Sequence, residues 1–295
     1  MDQNIQHIND TPVNTGDFDI RQIIPPDADE IIDDFQSLLI NDSVQITPYL
    51  SVVNPSVIDV MNNDINYYSM VSAFTSNPLS YAVQLHDEMH LDYTKVTEYE
   101  LFFLFFQRYV EIFRANVKND SEMRLVNKMK QAMSLIFKDI DIAKFVALNI
   151  PELGGIVFYN PYSKTLINEF IYQKIADALR RINQYEHDTS KAGNAAYAEY
   201  ELEKQRRRLK RQKRKKFKHF LEEQVIALVN NKEFKYNYDE TLHLSLYRFN
   251  RSLKQTTKLM THLNTMHGVY AGTVDTKKIK DKSVLTWFSL DDGIK

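Results

Sequence analysis

Residues 97–113, TEYELFFLFFQRYVEIF, predict a helix at the centre of the fold. Thr97 and Glu100 have the spacing of a capping box, in which each side chain accepts a hydrogen bond from the other residue's backbone N–H. The predicted helix spans roughly 98–117, and its apolar side chains cover most of its circumference: Leu101, Phe102, Leu104, Phe105, Phe106, Tyr109, Val110 and Phe113. A helix that is apolar on nearly all sides is expected to be central and buried.

The segments around this helix predict a mainly α fold with a minor β element. Upstream, a helix is expected from Pro25 to Leu39, since proline is favoured in the first turn. Residues 43–53 are rich in β-branched side chains and predict a strand that Pro48 bends or confines to an edge. Downstream, the expected elements are a hairpin or small sheet from 134–148 and 156–159, and helices at 165–185, 194–230 and 246–267. Gly268 is expected to cap the last of these helices.

The same pattern predicts three segments. Residues 1–66 form an acidic N-terminal arm and small subdomain, and residues 67–190 form a helical core with the small β element. Residues 191–295 form a long basic helix and a C-terminal helical segment, so that the basic helix joins the core to the C-terminal part. All 8 prolines lie at or before Pro161, which permits long uninterrupted helices after it.

Composition excludes several classes of function. The 295-residue chain has no cysteine, which excludes disulfides, thiol catalysis and cysteine-ligated metal sites. Its longest apolar run, Leu101–Phe106, is far shorter than the ~20 residues of a membrane helix. The first residues are polar and acidic, unlike a secretory signal. We therefore expect a soluble chain that makes no contact with a membrane.

Charge is distributed unevenly along the chain. Residues 1–94 hold 15 Asp or Glu and one basic residue, Arg21, for a net charge of −14. Residues 95–295 hold 36 basic and 24 acidic residues, for +12. Such a division favours contacts between oppositely charged surfaces, within one chain or between neighbouring chains.

The most basic stretch is Lys204–Lys218, KQRRRLKRQKRKKFK, with 11 basic residues and no acidic residue. It has only sparse apolar positions, so electrostatics are expected to help hold it. Its candidate partner-binding residues are Arg206, Arg207, Arg208, Lys210, Arg211, Lys213, Arg214, Lys215, Lys216 and Lys218. They would bind an acidic protein surface, on this chain or another. The alternative is nucleic acid, because clustered cations release counterions from a phosphate backbone.

Aromatic residues near the C-terminal helix form a second candidate surface. The sequence EFKYNY at 233–238 and the nearby Tyr247-Arg248-Phe249-Asn250 contain residue types that are enriched at interface cores. Tyr236, Tyr238, Tyr247 and Phe249 are therefore candidate partner-binding residues. Packing of the same side chains within the core of the protein is the alternative interpretation.

No constellation typical of catalysis is found. A short helix is expected from Asn77-Pro78 to about His90, which would place His86 and His90 one turn apart. Zinc proteases use that spacing, but with glutamate directly after the first histidine and with a third ligand. Here Asp87 follows His86, and the histidines would instead edge the core. We expect no enzyme activity, no cofactor and no metal.

Three stretches resemble proteins from tailed phages of Gram-positive bacteria. They are Phe158-Tyr159-Asn160-Pro161 with the helix Ile167–Ile182, then EFKYNYDETLHLSLYRFN at 233–250, then GVYAGTVDTKKI at 268–279. The order matches, including a basic helical segment between the first and second stretches. The resemblance covers roughly 155–290 and implies tail morphogenesis, as a tail assembly chaperone or a minor virion component.

These observations together predict a non-enzymatic phage tail assembly protein, either a chaperone or scaffold or a minor virion component, that acts through protein–protein contacts. Its expected partners are other phage tail proteins or copies of itself. It would act in the host cytoplasm during assembly, with the virion as a second location. A nucleic-acid-binding protein that uses the helix at 204–218 is the alternative.

Overall fold

The fold is known from a computed structural model, which describes residues 24–32, 37–115, 119–191, 193–212 and 219–288. It confirms a mainly α protein with a minor β element. The helices are α1 Val57–Thr75, α2 Glu98–Arg114, α3 Asp120–Ser134, α4 Glu169–Asn183, α5 Ala195–Gln212, α6 Phe220–Val229, α7 Tyr238–His243 and α8 Leu246–Tyr270. The strands are β1 Ser43–Thr47, β2 Leu50–Val53, β3 Val146–Ile150, β4 Gly155–Asn160 and β5 Thr165–Ile167. No described helix has the length and hydropathy needed to cross a membrane.

Helix α2 is central, as its sequence predicts. Thr97 and Glu100 form the expected capping box. Phe102 and Phe106 are fully buried, and their rings stack with centroids 5.2 Å apart. Phe103 stacks on Phe158 of β4 at 4.5 Å, which joins the helix to the sheet. Packed aromatic pairs of this kind add to the free energy gained from burial of their apolar area.

The β structure of the described residues consists of two small antiparallel units. Strands β1 and β2 form a hairpin, and Pro48 lies in its turn, so the predicted bend at this proline is confirmed. Strands β3, β4 and β5 form a second sheet in that order. The expected hairpin is therefore confirmed, but its first strand begins only at Val146, and residues 165–167 form a strand before α4 begins.

One hydrophobic cluster contains residues from Ala28 to Phe249, so it includes parts of all three predicted segments. The boundary expected between residues 66 and 67 falls inside α1. A smaller cluster, which includes Leu85, Leu101 and Leu202, lies beneath α5. The described chain therefore has one main core and one satellite core.

Backbone hydrogen bonds tie the start of α1 to the start of α8. The N–H of Leu246 donates to the carbonyl oxygen of Pro55 at 2.7 Å, and the N–H of Val57 donates to that of Leu244 at 2.9 Å. The N–H of Tyr247 also donates to Asn54 Oδ1 at 3.2 Å. Two segments almost 200 positions apart thus pair like short strands and fix the ends of two helices against each other.

Several sequence predictions are wrong in detail. The helix expected from Pro25 to Leu39 is absent from the described residues in that range, which include turns at residues 26–29 and from residue 38. The reason is pairing with the first hairpin: Ile32 N–H donates to Ile46 O at 2.9 Å. Helices α3 and α7 have no counterpart among the elements expected from the sequence.

The C-terminal helices differ from expectation at two points. His219 has non-helical backbone angles (φ −72°, ψ 82°), so the single helix expected at 194–230 is two helices, α5 and α6. Gly268 does not cap α8, which continues through it to Tyr270. The turn after the helix instead uses Gly272, whose φ of +69° is a conformation that glycine adopts without strain.

Candidate interaction surface on the basic helix

Helix α5 is docked on the satellite core by its inner face. Leu202 is buried there, with Ala198 and Leu209 packed against the same cluster. The Tyr93 hydroxyl donates to Ala198 O at 2.7 Å, and Gln205 Nε2 donates to Leu79 O. Apolar contact is thus greater than the sparse leucines suggest, but it is confined to one stripe of the helix.

Arg206 supplies the electrostatic part of this docking. Its Nη2 lies 2.5 Å from Asp87 Oδ1 and its Nε lies 2.9 Å from Asp87 Oδ2, a bidentate pair. A third contact joins Arg206 Nη1 to Glu203 Oε1 at 2.7 Å within the same helix. Bidentate guanidinium–carboxylate pairs fix orientation as well as distance, so this residue adds a directional contact to the apolar docking of α5.

The pair shifts the titration of both groups. Hydrogen bonds from Arg206, and then from His86, hold the pKa of the Asp87 carboxyl well below its usual value. The same contact with Asp87, followed by that with Glu203, raises the pKa of Arg206. Both groups are therefore charged at neutral pH, and the inner contact of the helix is an ion pair.

The opposite face of α5 carries unpaired cations. Arg207, Arg208, Lys210 and Arg211 are exposed, and none of the four has an ion pair with another described residue. Lys204 differs, because its Nζ lies 2.8 Å from Glu201 Oε1. Of the candidate cations, the described structure places Arg206 inward and these four outward. Lys213, Arg214, Lys215, Lys216 and Lys218 lie outside the described residues.

Two tyrosines that are not among the candidate residues extend this outward face. Tyr197 and Tyr200 are 44% and 62% exposed, with ring centroids 6.5 Å apart. Tyr200, Arg207 and Arg211 are separated by seven and four positions, which places them on one face of an α-helix. We call Tyr197, Tyr200, Arg207, Arg208 and Arg211 the outer stripe. Helical spacing counted back from the arginines would have found both tyrosines.

Two of the four residues of the second candidate surface pack in the core, and the other two are exposed to solvent. Phe249 is fully buried and Tyr247 packs against the main core, so core packing is the better interpretation for these two residues. Tyr236 and Tyr238 are nearly half exposed, and Tyr238 accepts a hydrogen bond from Asn230 Nδ2 at 2.9 Å. Of these four candidates, Tyr236 and Tyr238 are the more exposed.

His86 and His90 do not form the expected pair on one helix face. The chain makes a 3₁₀ turn at Pro78–Tyr81 and then a π-helical turn at Gln84–Glu88, which ends before His90. His90 has a φ of 56°, and both histidines are exposed rather than at the edge of the core. His86 Nδ1 instead contacts Asp87 Oδ1 at 2.8 Å, so this segment serves the ion pair that holds α5.

A known protein family matches the C-terminal part of the chain. Residues 210–290 match the family model of the YomV second domain, and YomV is a phage-encoded family. The match covers just over a quarter of the chain, from the end of α5 to beyond α8. It indicates a phage protein without indicating a role in the tail. No curated protein and no solved structure matches the chain.

Proposed function

We propose that this chain is a non-enzymatic protein of phage tail assembly, a chaperone or scaffold or a minor virion component, that binds its partner through the outer stripe. The partner is an acidic surface on another tail protein or on a second copy of the chain. The protein would work in the host cytoplasm, and in the virion if it is retained there. The family match to a phage domain supports the phage setting.

The division of cations on α5 is the observation that carries this proposal. Arg206 is paired with Asp87, whereas the arginines of the outer stripe have no counter-ion among the described residues. Clustered like charges repel one another, and an acidic partner would relieve that repulsion. Arginine and tyrosine are also the residue types most enriched where proteins bind each other.

Nucleic acid is the second candidate, and the exposed tyrosines favour it. Tyrosine rings beside arginines can stack on unpaired bases while the cations meet phosphates. The outer stripe spans about 21 Å from Tyr197 to Arg211 at 1.5 Å per residue, enough to follow several nucleotides. In the first candidate function the arginines contact carboxylates of a protein, and in the second they contact phosphates of a nucleic acid.

A matched pair of charge reversals separates the candidates. The test variant is Arg207→Glu with Arg211→Glu, one turn apart on the outer stripe. The control is Arg124→Glu with Lys128→Glu, two exposed cations at the same spacing on α3. Both variants change the net charge by the same amount, so a difference between them reports the location of the charge.

Each variant would be produced in bacteria that are making the phage. Mass spectrometry would then identify the proteins that co-purify with it and those in finished particles. Loss of a tail protein from the test variant alone supports the proposal, as does a salt-sensitive dimer lost in that variant alone. Salt-sensitive binding of oligonucleotides, lost in the test variant and accompanied by no tail protein, would establish the second candidate instead.

A further inference from the structure

A cleft of about 680 Å³ lies between α1, α2, α4, α6 and α8, apart from the outer stripe. Ligand sites commonly have volumes of about 300–1,000 Å³ and mostly apolar walls with a few polar groups. Six aromatic side chains line this one: Tyr68, Tyr81, Phe105, Tyr109, Tyr185 and Phe220. Tyr81 and Phe105 pack together with their ring centroids 4.8 Å apart, so part of the wall is preformed.

Among the described residues that line the cleft, Asp64 carries the one formal charge. Asp64 is only 7% exposed, and no lysine or arginine is among the described lining residues. Its Oδ2 lies 3.1 Å from His219 Nδ1, while its Oδ1 makes no hydrogen bond with a described residue and is not among the buried unpaired atoms, so it is open to the cleft. A largely buried carboxylate with one oxygen open to the cleft favours a ligand that brings positive charge and N–H donors.

Asn183 supplies a second unsatisfied acceptor at the cleft wall. Its Nδ2 donates to Leu179 O at 2.9 Å and to the Tyr67 hydroxyl at 3.3 Å. Since a carbonyl oxygen only accepts, the bond to Leu179 fixes the orientation of the amide. The buried Oδ1 is then left without a partner in the described structure. Leaving a buried acceptor unpaired is costly, but this oxygen has almost no accessible surface, so a ligand N–H reaches it only if the cleft wall moves.

Aromatic rings and acceptors together identify the ligand class. Cations are attracted to the faces of tyrosine and phenylalanine rings, and more strongly when water is excluded. An anion would meet Asp64 with no cation in the described lining to offset it. We propose that this cleft binds an organic cation, a guanidinium or ammonium group on an apolar stem, with Asp64 as counter-ion and the aromatic rings as walls.

Titration calorimetry on the full chain, with butylguanidinium as the probe, tests the site. Butylurea has nearly the same shape without the charge and serves as the matched ligand control. We expect saturable one-to-one binding of butylguanidinium and at least tenfold weaker binding of butylurea. Equal binding of both probes, or binding of neither, would overturn the proposal.

Substitutions in the cleft test whether butylguanidinium binds there. Asp64→Asn keeps the size of the side chain and should weaken butylguanidinium binding at least tenfold, while Glu122→Gln, an equal charge change on the exposed face of α3, should leave it unchanged. If Asp64→Asn does not fold, Phe220→Leu decides, because Phe220 is 65% exposed and its loss should not unfold the chain. Several-fold weaker binding supports the site, and unchanged binding refutes it.

Two sources could supply such a cation, a free small molecule or an arginine side chain of another protein. A blocked pentapeptide, Gly-Gly-Arg-Gly-Gly, is compared with butylguanidinium and spermidine. Binding of the peptide at least as tight as that of butylguanidinium identifies a protein side chain. Binding of the free cations alone identifies a small molecule. The outer stripe plays no part in either result, so failure here leaves the proposed function standing.

Discussion

Arg206 and Asp87, 119 positions apart, meet through two hydrogen bonds of 2.5 Å and 2.9 Å. This contact links α5 to the π-helical turn at Gln84–Glu88 and gives the basic helix a fixed orientation. Without it, the helix would be held by the packing of Leu202, Ala198 and Leu209 and by the hydrogen bonds of Gln205 and the Tyr93 hydroxyl. The pair adds to these contacts an ion pair on the same face of α5, which leaves the other cations outward.

The first prediction concerns this pair. Arg206→Gln should loosen α5 and increase hydrogen exchange across residues 195–212, because it removes the bidentate ion pair and keeps the apolar stripe. Arg208→Gln, an exposed neighbour without a described ion pair, is the control and should change little. Hydrogen exchange followed by mass spectrometry measures both. Equal protection of α5 in the two variants would show that burial alone holds the helix.

The second prediction is the pH dependence of the same contact. Pairing lowers the pKa of Asp87 from its usual 3.8, so the carboxylate stabilises the folded chain fully above about pH 3.8. That contribution is lost as the pH falls below 3.8 and through the folded-state pKa. The difference in urea midpoint between wild type and Asp87→Asn should be larger at pH 5 than at pH 3. An equal difference at the two pH values would contradict this.

The third prediction concerns Arg180, which is buried between α1, α2 and α4. Its Nη2 donates to Thr75 O at 2.7 Å and to Glu98 Oε2 at 3.1 Å. Arg180→Met should destabilise the chain by about 3 kcal/mol, because it removes the buried donors to Thr75 O and one of the two partners of Glu98, the other being His187. Asp177→Asn removes the exposed partner of the same arginine and should cost less than about 1 kcal/mol. Urea denaturation measures the free energy of unfolding of both variants. Similar losses in the two would show that the buried contacts of Arg180 contribute no more than its exposed one.

The fourth prediction concerns Gly268 in α8. A Cβ at this position would lie 2.6 Å from Val274 Cγ2, in the turn that folds back on the helix. Alanine normally stabilises a helix interior relative to glycine, but here overpacking should cost about 1–2 kcal/mol. The Thr273 and Val274 amides, which donate to Gly268 O, should lose protection from hydrogen exchange.

Val274→Ala is the rescue variant for this clash. It removes the methyl group that a Cβ at Gly268 would meet, so the double variant should recover most of the lost protection. Greater protection in Gly268→Ala alone would mean that the turn yields and the ordinary helix preference for alanine prevails.

Local signals in the sequence predict part of this structure well. The capping box at Thr97 and the phenylalanine-rich run after it identify α2, and Pro48 marks the hairpin turn. The helix predicted from Pro25 is wrong, because Ile32 pairs with β1, and this long-range contact overrides a local helix preference. Long-range contacts of this kind leave no periodic trace in a single sequence.

The candidate interaction surface and the cleft are likewise only partly predictable from local sequence. The basic stretch is evident from composition, but the pairing of Arg206 with Asp87 joins two segments that only the fold brings together. Asp87 draws notice in the sequence for the unrelated reason that it follows His86. The cleft at Asp64 is built from five helices, and no linear motif could indicate it.

The pairing of residues 54–57 with residues 244–247 has a consequence for how the chain is made. A ribosome releases the first hairpin and α1 long before it has synthesised Leu244 and Leu246, whose backbone groups complete the start of α1. Leu246 and Phe249, both fully buried, also enter the main core only then. Chains above about 100–150 residues commonly pass through partly packed intermediates that expose apolar surface. The nascent protein should therefore hold an unfinished core through most of its translation and close it only when α8 emerges.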